Sequence, residues 1–318
     1  MNGLTLARKY YEAYGRILLD AADELCPGLA GRISIGLAGE GSQCLGFDDI
    51  LSQDHDFAPG FCVWLSDEDA SAYGHRLQAV YRSLPEVFCG FTRQNILAQD
   101  RLGVMGVSSF FGKLTGIPET EKDWLYISEA ALASAVNGEI WHNGCQPFDA
   151  VRNRLAAFYP PDVLRKKIAA RAAVMSQAGQ YNLLRMVERR DAVAVMLASA
   201  RFTEAAISMT HLLNQKYTPF YKWQMQSLRT LSEKSPLAQL VKDQLEKLPK
   251  VCILQGEYAA EAAFSTVETI CRAVSEELRK QNFSQNESPF LQDHLEEIMG
   301  GIKDPDIRSL PPAADLSF

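Results

Sequence analysis

The chain has 318 residues, 47% of them apolar and 22% charged, and carries a net charge of −7. That length suits two domains, and the composition can fill their cores. The acidic balance argues against an extended nucleic-acid footprint or adhesion to an acidic membrane, while leaving room for a local basic pocket.

Seven cysteines (Cys26, Cys44, Cys62, Cys89, Cys145, Cys252 and Cys271) are scattered without a Cys-x-x-Cys pair. Their number and spacing fit neither a disulfide framework nor a structural zinc site. The first residues reach charge at Arg8 and Lys9, too early for a signal peptide, and no uninterrupted apolar run of eighteen residues occurs. The expectation is a cytoplasmic protein with no membrane partner.

Residues 4–25 place Leu4, Ala7, Tyr11, Tyr14, Ile17, Leu18 and Ala21 at three- and four-residue intervals, which predicts an amphipathic helix ending near Cys26-Pro27-Gly28. Ile33, Ile35 and Leu37 alternate with small residues, and Phe61, Val63 and Leu65 do the same, so two strands flank a long connection. Asp67-Glu68-Asp69 suits a helix start, and Tyr73, Leu77, Val80, Tyr81 and Leu84 supply its stripe. Strands are expected at 88–91 and 104–108, a short helix around Phe110 to Leu114, and another helix over 124–136. Gly138 to Gly144 then encloses a short strand with Glu139, Trp141 and Asn143 on one face.

Beyond Pro147 the period is helical, clearest over 163–177, 183–209, 238–246 and 257–281. The stretch from Asn282 is rich in Asn, Gln, Ser and Pro and reads as a mobile polar tail with a short helix over 291–299. The fold class is therefore α+β: a small mixed sheet with flanking helices over 1–150, an all-helical bundle over 151–281, and a tail over 282–318.

The chemistry concentrates between Gly39 and Asp56. Gly41-Ser42 follows a strand and can form a tight turn whose amides and hydroxyl cradle phosphate, although alone it is equally a loop glycine with a turn serine. Asp54 and Asp56, one residue apart at a strand entrance, would point the same way and could share Mg²⁺ that also holds substrate phosphates; Asp-x-Asp is also common in solvated loops. Asp48 and Asp49 read as turn or cap residues. The His55-Asp56 doublet also evokes metal-dependent phosphohydrolases, but the remaining histidines show no ligand spacing.

The order of strand, Gly-Ser, a gap of about twelve residues and then Ser-x-Asp-x-Asp resembles the DNA polymerase β-like nucleotidyltransferase superfamily. More narrowly, residues 46–59, Gly138-Glu-Ile-Trp-His-Asn-Gly144, Tyr159-Pro-Pro-Asp-Val163 and Lys216-Tyr-Thr-Pro-Phe-Tyr-Lys-Trp223 resemble the bacterial family called domain of unknown function 4037. The resemblance runs from about Gly36 to Leu228. It implies a nucleotidyltransferase domain followed by a helical domain, with Asp54 and Asp56 as Mg²⁺ ligands and an NTP, ATP foremost, as substrate.

It also implies a third carboxylate on a neighbouring strand, acting as general base or further ligand, for which Glu139 is the candidate; a solvated strand-end residue would look the same. The narrower family places an acidic residue where this chain has Asn143, and an amide can orient a ligand but cannot accept a proton as a base does. Lys222, among Tyr217, Phe220, Tyr221 and Trp223, could reach phosphate, or the segment could plug a domain face with its aromatics. Arg189, Arg190 and Arg201, expected on one helix, could line a cleft or pair in solvent. The expected activity is transfer of a nucleoside monophosphate from NTP to a hydroxyl of a small molecule or protein. A nucleotide-binding or protein-interaction module that has lost catalysis is the alternative.

Overall fold

The computed structural model describes residues 1–53, 57–93, 101–249 and 257–315. The chain divides into two compact units, Met1–Glu119 with Ala131–Ala157, and Thr120–Ala130 with Phe158–Phe318. The class is α+β: a small mixed sheet in the first unit and helices throughout the second.

The first unit opens with α1 (Gly3–Leu25), whose first turn is capped by the Asn2 side chain accepting from the Thr5 amide at 2.9 Å. Four strands form one sheet among the described residues, β1 (Ser34–Leu37), β2 (Cys62–Leu65), β5 (Gly103–Gly106) and β6 (Glu139–Asn143), in the order β5-β2-β1-β6. β1 runs antiparallel to both β2 and β6, whereas β2 and β5 are parallel. A separate hairpin, β3 (Val87–Phe88) with β4 (Phe91–Thr92), stands where a single strand is expected over 88–91.

Both faces of the sheet are covered. Ile33, Ile35, Phe61, Val63 and Leu65 pack with Tyr10 and Leu18 of α1 and with Leu77 and Tyr81 of α3 (Asp67–Ser83). The opposite face of β2 carries Trp64, stacked on Phe148 of α6 (Gln146–Ala156) at 4.3 Å and set edge-on to Phe110 of α4 (Val107–Thr115) at 5.3 Å. Burying each such side chain is worth about 1.5–3 kcal/mol or more, so β2 is anchored from two sides. Alternation along β2 is therefore between two apolar faces rather than core and solvent.

The second unit is built on α7 (Pro161–Met175), which continues through a π-helical stretch, Ser176–Leu183, into α8 (Leu184–Glu188). The single helix expected over 183–209 is two. Arg190 adopts a left-handed conformation (φ 58°) and Asp191 caps the next helix, α9 (Ala192–Leu213), by accepting from the Ala194 amide at 3.0 Å. Arg189 and Arg190 thus precede the helix that carries Arg201. Among the described residues α9 alone is long and apolar enough to cross a membrane by length and composition. Its second half, including Phe202, Ala206, Ile207, Met209 and Leu212, is buried inside its unit.

The 3-10 turn Leu291–His294 and the helices Leu295–Gly300 and Pro305–Ser309 bury Leu291, Ile298, Ile302 and Ile307, so this stretch is packed rather than mobile. His294 is fully buried, its Nε2 donating to the Ser288 carbonyl at 2.8 Å and its Nδ1 meeting the Ser284 hydroxyl at 2.9 Å.

Candidate functional site

Asp54, His55 and Asp56 lie outside the described residues. On their two sides the chain is described: Leu51–Gln53 forms a 3-10 turn, and Phe57 is 2% exposed with its ring 4.8 Å from Phe91. The neighbouring Asp48 and Asp49 are turn residues. Asp48 Oδ2 accepts from the Gly3 amide at 2.8 Å, and Asp49 Oδ1 accepts from the Ser52 amide at 2.9 Å and from its hydroxyl at 3.0 Å.

The Gly-Ser turn is built by the end of β1. After Leu37 the chain passes through Gly41 at φ 111°, a conformation that L side chains rarely adopt, and enters the helical turn α2 (Ser42–Leu45). Gly41, at the cap position, supplies no side-chain hydrogen bond to the first amides of this turn. Two further residues shape this corner. Asn137 fixes Gly39 from both sides, its Oδ1 accepting from the Gly39 amide at 2.9 Å and its Nδ2 donating to the Gly39 carbonyl at 2.8 Å. Arg101 brings Nη1 to 3.5 Å from where a Cβ on Gly41 would stand, so a guanidinium overlies the turn.

Glu139 stands at the same end of the sheet, because antiparallel pairing sets it opposite Leu37. Gly138 makes that approach possible: at φ 72°, a Cβ there would lie 1.9 Å from the Leu37 carbonyl oxygen. Glu139 Oε2 accepts from Trp141 Nε1 at 3.0 Å and is ion-paired with Arg8. The Trp141 hydrogen bond, with Arg8 behind it, holds the carboxyl below the usual glutamate range. Both donors reach Oε2, and among the described residues none reaches Oε1. Trp141 is itself stacked on Tyr11 at 5.5 Å.

Asn143 sits at the opposite end of β6, paired with Ser34. Its Oδ1 accepts from the Ser34 hydroxyl at 3.2 Å, and Ser34 Oγ in turn accepts from the Gly144 and Cys145 amides at 3.2 and 3.0 Å. Four residue steps along the strand separate it from Glu139, about 13 Å. Asn143 therefore belongs to a structural knot at the start of β1 and not to the Gly-Ser corner.

Within the first unit, Glu139 stands opposite the last residue of β1, and Gly41 and Ser42 follow that strand. Lys222 belongs to the second unit, exposed on the 3-10 turn Tyr221–Trp223, with Nζ 5.6 Å from the centre of the Trp223 ring. Arg101, Asn137 and Arg8 were not legible as site residues. Asn137-Gly138 is a turn signal in the sequence, but Arg101 carries no motif at all. Among the described residues no group of three His, Cys, Asp or Glu side chains could hold a metal.

Residues 124–224 match the family model described as domain of unknown function (DUF4037). The match covers about a third of the chain. It spans α5 (Glu129–Val136), β6, α6, α7, α8 and α9, and so includes both Glu139 and Lys222. No curated protein and no solved structure matches the chain.

Proposed function

We propose that the protein transfers a nucleoside monophosphate from an NTP, ATP foremost, to a hydroxyl of a small molecule or protein, with Mg²⁺ as cofactor and pyrophosphate as product. The observation that carries this reading is the corner where β1 ends. Gly41 turns the chain, Ser42 opens a helical turn that Gly41 leaves without a side-chain cap, Arg101 overlies it, and Glu139 stands opposite Leu37 at the same sheet end. Amides, a hydroxyl and a guanidinium are the donors that phosphate oxygens need, and a carboxylate beside them is the group a proton transfer needs.

In this reading Asp54 and Asp56 would hold the ion, with Oε1 of Glu139 as a third oxygen or as the acceptor of the hydroxyl proton. Glu139 fits either role, because its two donors occupy Oε2. Bound Mg²⁺ supplies electrostatic stabilisation of the charge that develops on the departing pyrophosphate. The Ser42 hydroxyl and the turn amides orient the phosphates, and Arg101 offsets part of their charge.

Isothermal titration with each NTP, with and without Mg²⁺, alongside a pyrophosphate-release screen over hydroxyl acceptors, tests the reading. The expected result is Mg²⁺-dependent NTP binding that Asp54→Asn abolishes and Ser42→Ala weakens, with pyrophosphate release on at least one acceptor. Absence of NTP binding in the presence of Mg²⁺ would sink it. A second reading, a nucleotide-binding module without turnover, is favoured by one observation: Glu139 is already claimed by Arg8 and Trp141. Mg²⁺-dependent binding with no pyrophosphate release on any acceptor would select it.

A further inference from the structure

α7 carries three cationic side chains into the interior of the second unit: Lys166 and Lys167 are each 2% exposed and Arg171 is 3% exposed. Withdrawing a charge from water costs several kcal/mol unless oxygens replace the lost hydration. Arg171 meets one set of oxygens within the helical framework. Its Nη2 donates to Glu129 Oε1 at 2.7 Å and its Nε to Ser208 Oγ at 2.6 Å, while the Ser208 hydroxyl donates to the same Glu129 oxygen at 2.7 Å.

The other set comes from one short stretch near the end of the chain. Arg171 Nη1 pairs with Asp315 Oδ2, and Lys167 Nζ lies 3.6 Å from Asp315 Oδ1. Lys166 Nζ donates to the Pro312 carbonyl at 3.1 Å and to that of Ala314. Residues 312–315 thus offer a carboxylate and two carbonyls to three buried cations, a set of oxygens that a single phosphoryl group can match. A small crevice lined by Leu125, Lys166, Lys167, Leu310, Ala314 and Asp315 opens beside these groups.

A fourth donor is present and unused. The Tyr159 ring lies 5.3 Å from Lys167 Nζ, and its buried hydroxyl, in the field of Glu129, Arg171 and Asp315, has no hydrogen-bond partner among the described residues. A buried hydroxyl without a partner is uncommon and marks a place where an acceptor is missing. Asp315 supplies two oxygens where a phosphate supplies more.

We propose that Lys166, Lys167, Arg171 and the Tyr159 hydroxyl form a binding site for a phosphate-class anion, a site that Asp315 of the chain's own C-terminal segment occupies in this structure. Ligand entry and release of residues 310–315 are then one equilibrium, because the phosphate and the carboxylate compete for the same donors. The site is independent of the nucleotidyl-transfer reading and stands if that reading fails.

The test uses the full chain, with orthophosphate, pyrophosphate and Mg²⁺-free ATP as probes at matched ionic strength. Hydrogen–deuterium exchange of residues 310–315 is expected to rise in at least one of these anions and not in chloride. Release by ATP alone marks a nucleotide source, and release by the inorganic anions marks a free-phosphate source. By calorimetry, Asp315→Asn is expected to tighten the active anion by about tenfold, within the usual range of coupling between competing ligands. Adding Lys166→Met is expected to remove that gain. Unchanged exchange in all three anions overturns the proposal whatever Asp315→Asn does, including failure to fold. Exchange that rises without tighter binding by a folded Asp315→Asn variant overturns it too.

Discussion

Glu139 is held as an anion by two donors before any ligand arrives, Trp141 first and Arg8 second. A carboxylate with a lowered folded-state pKa stabilises the protein above its ordinary value, and that contribution fades as pH falls through the lowered one. Arg8→Ala should therefore move the Glu139 titration upward, toward 4.5, and remove part of the acid resistance of the first unit. Carboxyl-detected NMR titration and acid unfolding check both. If Glu139 accepts the acceptor's proton, the acid limb of pyrophosphate release moves to higher pH in the same variant. A second residue-scale expectation concerns Gly138, whose left-handed φ and contact with the Leu37 carbonyl leave no space for a methyl group. Gly138→Ala should cost about 3 kcal/mol or more in urea unfolding. Glu139 was legible as an acid on a short strand, and its place opposite Leu37 is what pairing added. Asn143 was misleading, because a strand of five residues puts its two ends in different neighbourhoods although alternation puts them on one face.

At the level of elements, local signals were reliable where caps announce them. The acidic run at Asp67 follows Ser66, whose hydroxyl accepts from the Asp69 amide at 3.0 Å, and the helix ends one residue before the proline-preceding Leu84. Asp191 offered the same kind of signal within an apolar period that otherwise continued, and the period alone predicts one helix where a left-handed Arg190 makes two. The π-helical stretch Ser176–Leu183 has no comparable signature, since a one-residue widening is decided by packing. Gly179 records that packing: a Cβ there would lie 2.3 Å from the Phe202 ring of α9. Gly179→Ala should destabilise by about 2–4 kcal/mol, and adding Phe202→Leu should recover part of the loss. A double-mutant cycle by urea unfolding reads the coupling; strict additivity would show that the close approach is not what the glycine serves. The stretch after Asn282 was misjudged because composition hid Leu291, Leu295, Ile298 and Ile302, spaced four, three and four apart and packed inside the unit.

For the molecule as a whole, the contrast is between a sheet whose stability is apolar and a helical unit that commits three cations to its interior. Burial pulls the Lys166 ammonium down to about 8. Between that value and the ordinary 10.5 the unfolded chain binds more protons than the folded one, so this lysine makes stability rise with pH across that window. Urea unfolding at pH 7.5, 9 and 10 should show the rise, and Lys166→Met should flatten it. None of this was visible in the sequence, where Lys166, Lys167 and Arg171 look like the solvated face of an ordinary helix; oxygens distant in the chain, the carboxylates of Glu129 and Asp315, the Ser208 hydroxyl and the Pro312 and Ala314 carbonyls, make their burial tolerable.

The division of the chain has a consequence for how the protein comes into being. Residues 120–130 leave the sheet-bearing unit, deliver Glu129 to the helical one, and the chain then returns to lay down β6. During synthesis, β1 and β2 leave the ribosome well before β6, the second antiparallel partner of β1, and Glu129 and β6 both emerge before Arg171 and Ser208, the partners that hold Glu129 in the helical unit. Neither unit is a continuous length of polypeptide. A cut before Phe158 would separate Arg171 from Glu129 and keep β6 with the sheet, and a cut before Thr120 would do the reverse.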